Sequence, residues 1–259
     1  MAHPGEGLID LDDLAVRDGK DYSTDTLDVY ATCIPESGNI SGDYVGIVRM
    51  GNNVRIVTTD GMGKGLLAHN HAHRVTQEFF VRAHANGNEH ALEDLSRRFA
   101  KESGESRKMF FSAFMLVDVQ QGTKFPFDAI FYGMGQPSPL IYRAGARQIE
   151  TLPSLAGVAI GLPLREDDEQ KPYSIFSASL DESDVLLLYS DGVTEARSAR
   201  GRLFSEVRNG LEQTFRRSVR RWKPADEIVQ DILYKIVEHC GGKAQDDITL
   251  VVARVKEQA

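Results

Sequence analysis

Ser41-Gly42-Asp43-Tyr44-Val45-Gly46-Ile47-Val48-Arg49-Met50-Gly51-Asn52-Asn53-Val54-Arg55-Ile56-Val57-Thr58-Thr59-Asp60-Gly61, residues 41–61, reads as two apolar runs on either side of Gly51-Asn52. Glycine at the first central position suits the type II′ loop of a two-residue hairpin. With Gly51 and Asn52 as the loop, Met50 faces Asn53; counting outward, Ile47 faces Ile56, Val45 faces Thr58 and Asp43 faces Asp60. The two-residue period of a strand then puts Val45, Ile47, Val54 and Ile56 on the same face as both aspartates, so the carboxylates end a face that must be buried. Like charges directly opposed across strands are destabilising. The arrangement makes physical sense if a divalent cation lies between them, because Mg2+ and Mn2+ prefer carboxylate, carbonyl and water ligands.

Around this hairpin the texture is short apolar runs with paired helical stretches between them. Val29–Ile34, Tyr44–Arg49 and Val54–Thr59 read as strands. Gly65–Ala85 and His90–Lys101 carry helical periodicity and are joined by an Asn86-Gly87-Asn88 turn. Strands follow at Phe110–Val119, Phe125–Tyr132, Leu140–Arg143, Gln148–Leu152, Tyr173–Ala178 and Val185–Tyr189. Helices are predicted over Ser205–Val219 and Ala225–Cys240, and the β-branched run Ile248–Val255 closes the chain. Blocks of sheet separated by helix pairs point to an α+β fold, antiparallel sheets packed face to face with helices outside, rather than to alternating βαβ units. Residues 1–26 are polar and only weakly periodic, a leader or switch segment ahead of one domain over 27–259.

Further carboxylates fit the same rim. Asp191 ends the nearly continuous apolar strand Val185–Ser190, and Asp246 and Asp247 immediately precede the last strand. Antiparallel neighbours set the end of one strand beside the start of the other, so Asp60, Asp191 and Asp246 converge, with Asp43 completing the ring. Asp246 is the favoured ligand of its pair; Asp247 is read as capping the preceding turn. Gly61, Gly63 and Gly65 let the backbone turn and approach an ion, which leaves the Gly61 carbonyl free to serve as a ligand. A phosphate-cradling loop is the rival reading of this glycine-rich turn with Lys64, but Walker-type spacing is missing.

The bulk properties narrow the function. A chain of 259 residues with 41% hydrophobic and 26% charged residues is an ordinary globule. A formal charge of −8 argues against a nucleic-acid binder. Two distant cysteines, Cys33 and Cys240, give neither a disulfide framework nor a thiolate zinc site, which fits a reducing cytoplasm. No apolar run approaches the roughly 20 residues that span a bilayer, and residues 1–10 lack a signal-peptide core.

Five segments taken together resemble the PPM family of metal-dependent protein phosphatases, in its bacterial SpoIIE-like branch. They are Ser41-Gly42-Asp43, Asp60-Gly61-Met62-Gly63-Lys64-Gly65, Gly135-Gln136-Pro137-Ser138-Pro139-Leu140, Tyr189-Ser190-Asp191-Gly192-Val193-Thr194-Glu195 and Asp246-Asp247-Ile248-Thr249, in the family's order. The resemblance implies a four-layer α-β-β-α sandwich with two divalent cations, Mn2+ or Mg2+, at one end. By motif position Asp60 bridges both ions, Gly61 offers its carbonyl to one, Asp191 and Asp246 bind the other, and Asp43 acts through water. Asp43, Asp60 and Asp191 are thereby the implied catalytic residues, and activated water attacks phosphorus in line without a covalent enzyme intermediate. The implied substrate is a phosphoserine or phosphothreonine protein, an anti-sigma-factor antagonist in a partner-switching pathway, with control by a separate regulatory protein or by the leader packing on the first helix.

The chain departs from the branch in two places. Gly133-Met134-Gly135-Gln136 stands where Asn-Ala-Gly-His is usual, and Gly38 stands where animal relatives place a phosphate-binding arginine, which leaves phosphate to the metals with Lys64 as helper. His69, His71 and His73 lack a His-Glu-x-x-His pattern and read as packed or exposed histidines. Arg216-Arg217 and Arg220-Arg221 read as a solvated helical face that can dock an acidic partner. Two competing readings share the fold: a catalytically silent phosphoprotein-binding module, and a two-metal hydrolase of small phosphoesters.

Overall fold

The computed structural model describes residues 19–36, 39–106, 110–122, 126–164, 171–242 and 245–257. Among the described residues eleven strands form two antiparallel sheets. The first contains, in spatial order, β1 (Lys20–Asp21), β2 (Leu27–Ile34), β11 (Ile248–Val255), β10 (Val185–Tyr189), β7 (Leu140–Arg143) and β8 (Gln148–Thr151). The second contains β3 (Asp43–Met50), β4 (Asn53–Gly61), β5 (Ser112–Gln121), β6 (Phe127–Met134) and β9 (Ser174–Leu180). Helices α1 (Gly65–Asn86) and α2 (Asn88–Ser106) cover the second sheet; α4 (Leu211–Arg220) and α5 (Ala225–His239) cover the first; α3 (Asp191–Thr194) is a single turn at the sandwich edge.

Three apolar layers hold these elements together. Between the sheets, Val45, Ile47, Val54 and Ile56 meet Val29, Ala31, Leu186, Leu188, Val251 and Ala253. Outside, Val57, Phe114 and Leu116 pack under Phe79, Leu92 and Phe99 of the first helix pair, and Leu187, Leu250 and Val252 under Phe215, Ile228 and Ile232 of the second. Strands whose two faces both meet apolar layers read as unbroken hydrophobic runs, which is why β10 and β11 carry so little polar alternation. The result is the predicted α-β-β-α sandwich.

The hairpin has the register counted from the sequence: Met50 faces Asn53, Ile47 faces Ile56, Val45 faces Thr58 and Asp43 faces Asp60. Gly51 has φ 64°, as the first position of a type II′ turn requires. On the other sheet Tyr189 faces Leu250, so the end of β10 adjoins the start of β11.

Two predicted boundaries are corrected. Lys20 and Asp21, inside the stretch read as the leader, pair with Ala31 and Tyr30, and Tyr22 is buried. The predicted helix Ser205–Val219 is a short 3-10 turn at Phe204–Glu206 followed by α4 from Leu211. The break falls at Gly210, where a Cβ would lie 1.9 Å from the Phe204 carbonyl oxygen. The weak helical pattern of residues 8–16 and the Gly38 position lie outside the described residues. No described helix is long and apolar enough to cross a membrane.

Candidate metal and phosphate site

The site occupies the sandwich rim where β3, β4, β10 and β11 end. Asp43 and Asp60 are the terminal cross-strand pair of the hairpin. Asp191 is the first residue of α3, directly after β10, and Asp246 lies two residues before β11. The second and third glycines of the Asp60 loop, Gly63 and Gly65, have φ 91° and 70°. These angles suit glycine and let the chain leave β4 and enter α1 within a few residues.

The carboxylates repel one another in a poorly solvated place. Burial first, and then the Asp60 charge, pushes Asp43 well above the usual carboxylate range. Burial, followed by Asp191 and Asp246, raises Asp60 to about 7. Asp191 is raised by burial and then by Asp246 and Glu195. Among the described residues no three Asp, Glu, His or Cys side chains are yet drawn tightly enough to enclose an ion.

The donor set nevertheless fits a hard divalent cation. It is all oxygen, it is partly desolvated, and its negative charge exceeds the positive charge the chain supplies locally. That local positive charge is Lys64, whose Nζ lies 2.6 Å from Glu36 and 3.6 Å from Asp246 and donates to the Gln245 carbonyl at 3.2 Å. Lys64 therefore ties the Asp60 loop to the Asp246 loop, and its first partner is Glu36.

The two neighbouring aspartates of the last motif divide their work. Asp247 is buried; its Oδ1 accepts from the Glu36 N–H at 2.7 Å and its Oδ2 from the Gly42 N–H at 2.5 Å. It pins the segment before β3 to the start of β11 rather than merely capping its own turn. Asp246 is half exposed and acts on Asp60 and Asp191 through its charge. Gly192 allows this packing, because a Cβ there would sit 2.0 Å from the Asp247 carbonyl oxygen.

Sequence reading missed a hydroxyl pair that orients Asp43. Thr249 Oγ1 donates to Asp43 Oδ2 at 2.7 Å, while the Thr249 N–H donates to Ser190 Oγ at 3.0 Å. Both residues sit inside the quoted motifs, beside Asp191 and Asp247, and the side-chain alternation of β11 was the available signal. The histidines are packing residues: His69 Nδ1 lies 3.0 Å from the Ser41 carbonyl oxygen, and His71 packs edge-on against Phe99.

The departure at residues 133–136 has a steric cause. A Cβ at Gly133 would lie 2.1 Å from the Leu155 Cβ, so the chain near Leu155 fills the space a side chain would take. Gln136 is buried and donates to the Ala113 carbonyl at 3.3 Å. This position is occupied structurally here.

A family model described as stage II sporulation protein E (SpoIIE) matches residues 50–256, which takes in Asp60, Gly61, Asp191 and Asp246 and begins after Asp43. Phosphoserine phosphatase RsbU of Bacillus subtilis (strain 168) is 25% identical over 241 residues, covering 90% of this chain and 64% of RsbU. The solved RsbU and RsbW domains of a Mycobacterium tuberculosis protein superpose with a TM-score of 0.73 at 17% identity, over 90% of this chain and 62% of that one. RsbX, solved in complex with magnesium, superposes with a TM-score of 0.61 at 12% identity, over 92% of this chain and all of RsbX. This chain thus spans less than two thirds of the first two proteins, and the two structures speak for the fold.

Proposed function

Because the chain belongs to the SpoIIE family, we propose that it is a metal-dependent phosphoprotein phosphatase acting on phosphoserine or phosphothreonine in the cytoplasm. The substrate class is an anti-sigma-factor antagonist within a bacterial partner-switching pathway, with a separate regulatory protein as a further partner. The observation that carries this reading is the cross-strand pair Asp43–Asp60 at a rim shared with Asp191 and Asp246. The name of the RsbU relative supports the phosphoserine chemistry.

In this reading Asp60, the Gly61 carbonyl, Asp191 and Asp246 hold two divalent cations, Mg2+ or Mn2+, and Asp43 acts through water. Bound cations supply Lewis-acid stabilisation of the charge that develops on phosphate and lower the pKa of water. The chain's own contribution is to fix the ligands. Thr249 orients Asp43, Asp247 anchors the Gly42 backbone, and Lys64 draws the two acidic loops together while leaving Asp246 half exposed. Met62, Leu66 and Leu67 stand exposed immediately after Asp60 and Gly61. An apolar rim of this kind favours a protein substrate over a small phosphoester.

The test is phosphate release from a phosphoserine protein and from an aryl phosphate, with Mg2+ or Mn2+ and with Asp60→Ala and Asp191→Ala. Metal-dependent release that favours the protein and vanishes in both variants is expected. Well-folded protein with no metal-dependent turnover on either substrate would instead identify a silent binding module.

A further inference from the structure

At the opposite end of β10 and β11 from the carboxylates lies a cavity of about 340 Å³, lined among others by Tyr142, Arg147, Ser183, Arg220, Trp222 and Arg254. Arg254 faces Val185 across β10–β11, and Val185 faces Tyr142 across β7–β10, so the cavity sits over one row of the first sheet, on its helix side. Four strand steps from Val185 to Tyr189 separate that row from the metal rim, roughly 14 Å. The lid is the end of α4 and the turn after it, which carries Trp222.

Three independent features converge here. First, Nε and Nη2 of Arg254 are buried and have no hydrogen-bond partner among the described residues. Its acidic neighbours are engaged elsewhere: Asp28 accepts from Ser23 Oγ at 3.2 Å and from the Ala225 N–H at 2.8 Å, and Glu257 accepts from Ser183 Oγ at 2.9 Å. Guanidinium nitrogens buried with unused donors are costly and call for an acceptor.

Second, Arg147 and Arg220 line the same space, and no ion pair engages either among the described residues. Arg220 donates instead to the Arg147 carbonyl at 3.2 Å, which holds the two side chains' bases together. Three guanidinium groups around one cavity, in a chain of net charge −8, form a local exception to the overall balance. Third, the described non-glycine residues with positive φ are Arg147 (55°), Ser183 (66°) and Trp222 (56°), and all three line this cavity. Such backbone conformations cost energy and concentrate at ligand sites and switches.

We propose that this cavity binds a small phosphate ester carrying an aromatic ring, of the nucleotide class. Its phosphate oxygens take the unused donors of Arg254 and the guanidinium groups of Arg147 and Arg220, matching the planar fork of arginine to phosphate. Its ring lies against Trp222, which is 67% exposed, and against Tyr142. The volume lies in the range of small-molecule sites.

Trp222 is the chain's only tryptophan, so its fluorescence reports on this cavity directly. The full chain is titrated with inorganic pyrophosphate and with ADP in metal-free buffer containing a chelator, which keeps phosphate groups from a metal-loaded rim. A saturable fluorescence change is expected, with ADP binding more tightly than pyrophosphate. Arg254→Met, and separately Arg147→Gln on the exposed turn, should each weaken ADP by roughly tenfold or more, while Asp191→Asn leaves the affinity unchanged. Circular dichroism identifies which arginine variant is folded and therefore decides the comparison. Absence of a saturable change, equal affinity for pyrophosphate and ADP, unaltered affinity in the folded arginine variants, or loss of binding in Asp191→Asn each overturns the proposal.

Discussion

Two buried carboxylate pairings in the second sheet meet opposite fates. Asp118 of β5 faces Arg55 of β4, which grips it through Nε at 2.6 Å and Nη2 at 2.9 Å, and Asn88 adds a donor at 2.6 Å. Asp43 and Asp60, paired across β3 and β4, face each other. Both sites remove negative charge from water, and only the first supplies its own cation. Asp118 is therefore part of the scaffold, while the rim carboxylates are pushed up by burial and by one another. A chain that can place arginine opposite aspartate on β4 places aspartate there instead, which is the arrangement the proposed metal site would use.

The largest expected effect lies in turnover. On the proposed reading Asp60→Asn or Asp191→Asn would remove a metal ligand, and metal-dependent phosphate release should fall on the order of a thousandfold or more, the several kcal/mol that metal stabilisation contributes. The same substitutions should raise the thermal midpoint of the metal-free protein, since they remove a repelled charge. A parallel loss of stability would break the contrast with Asp118.

Asp118→Ala is the mirror experiment. It leaves Arg55 largely buried without its partner and should destabilise the fold by about 3 kcal/mol in urea unfolding, with metal affinity unchanged in the folded protein. Gly192→Ala comes next, because the new methyl meets the Asp247 carbonyl oxygen. It should cost about 1–3 kcal/mol, the range for overpacking, and should weaken metal binding as Asp191 and Asp246 shift.

The pH dependence sharpens the comparison further. Asp60 is raised to about 7 in the fold, above the roughly 3.9 of an unfolded aspartate. A carboxyl with a raised folded pKa contributes stability that is fully present below the unfolded value and is lost as pH rises through the folded one. The metal-free midpoint should therefore carry a falling contribution between about pH 4 and pH 7 that Asp60→Asn removes. Saturating Mg2+ should cancel it, and apparent metal affinity should drop as pH is lowered through 7. The smallest effect is that of Lys64→Ala, whose half-exposed bridges are worth under about 1 kcal/mol of stability.

The hairpin was legible because one glycine and one alternation fix it: Gly51 sets the loop, and a slip by one residue would turn Val45, Ile47 and Ile56 out of the core. The meeting of Asp191 with Asp246 was legible for the same reason, since a run as apolar as β10 has to be central. What failed to show in sequence depends on distance or on single contacts. The broken helix at Gly210 reflects one carbonyl of Phe204. Pairing of Lys20 and Asp21 with β2 concerns a two-residue strand too short to carry a period. The anchoring role of Asp247 depends on two backbone N–H groups more than 200 residues away. The arginine-lined cavity joins a turn after β7, the end of α4 and the last strand, and the Arg220 cluster alone read as a solvated face.

Whether divalent ions gather at the carboxylate rim is read by calorimetric titration of the metal-free chain with Mg2+ or Mn2+, repeated on Asp60→Asn. The natural chain should take up divalent ions saturably with proton release near pH 7, and the variant should bind them at least about tenfold more weakly. Absence of uptake, or uptake that Asp60→Asn leaves unchanged, would contradict the proposed metal site.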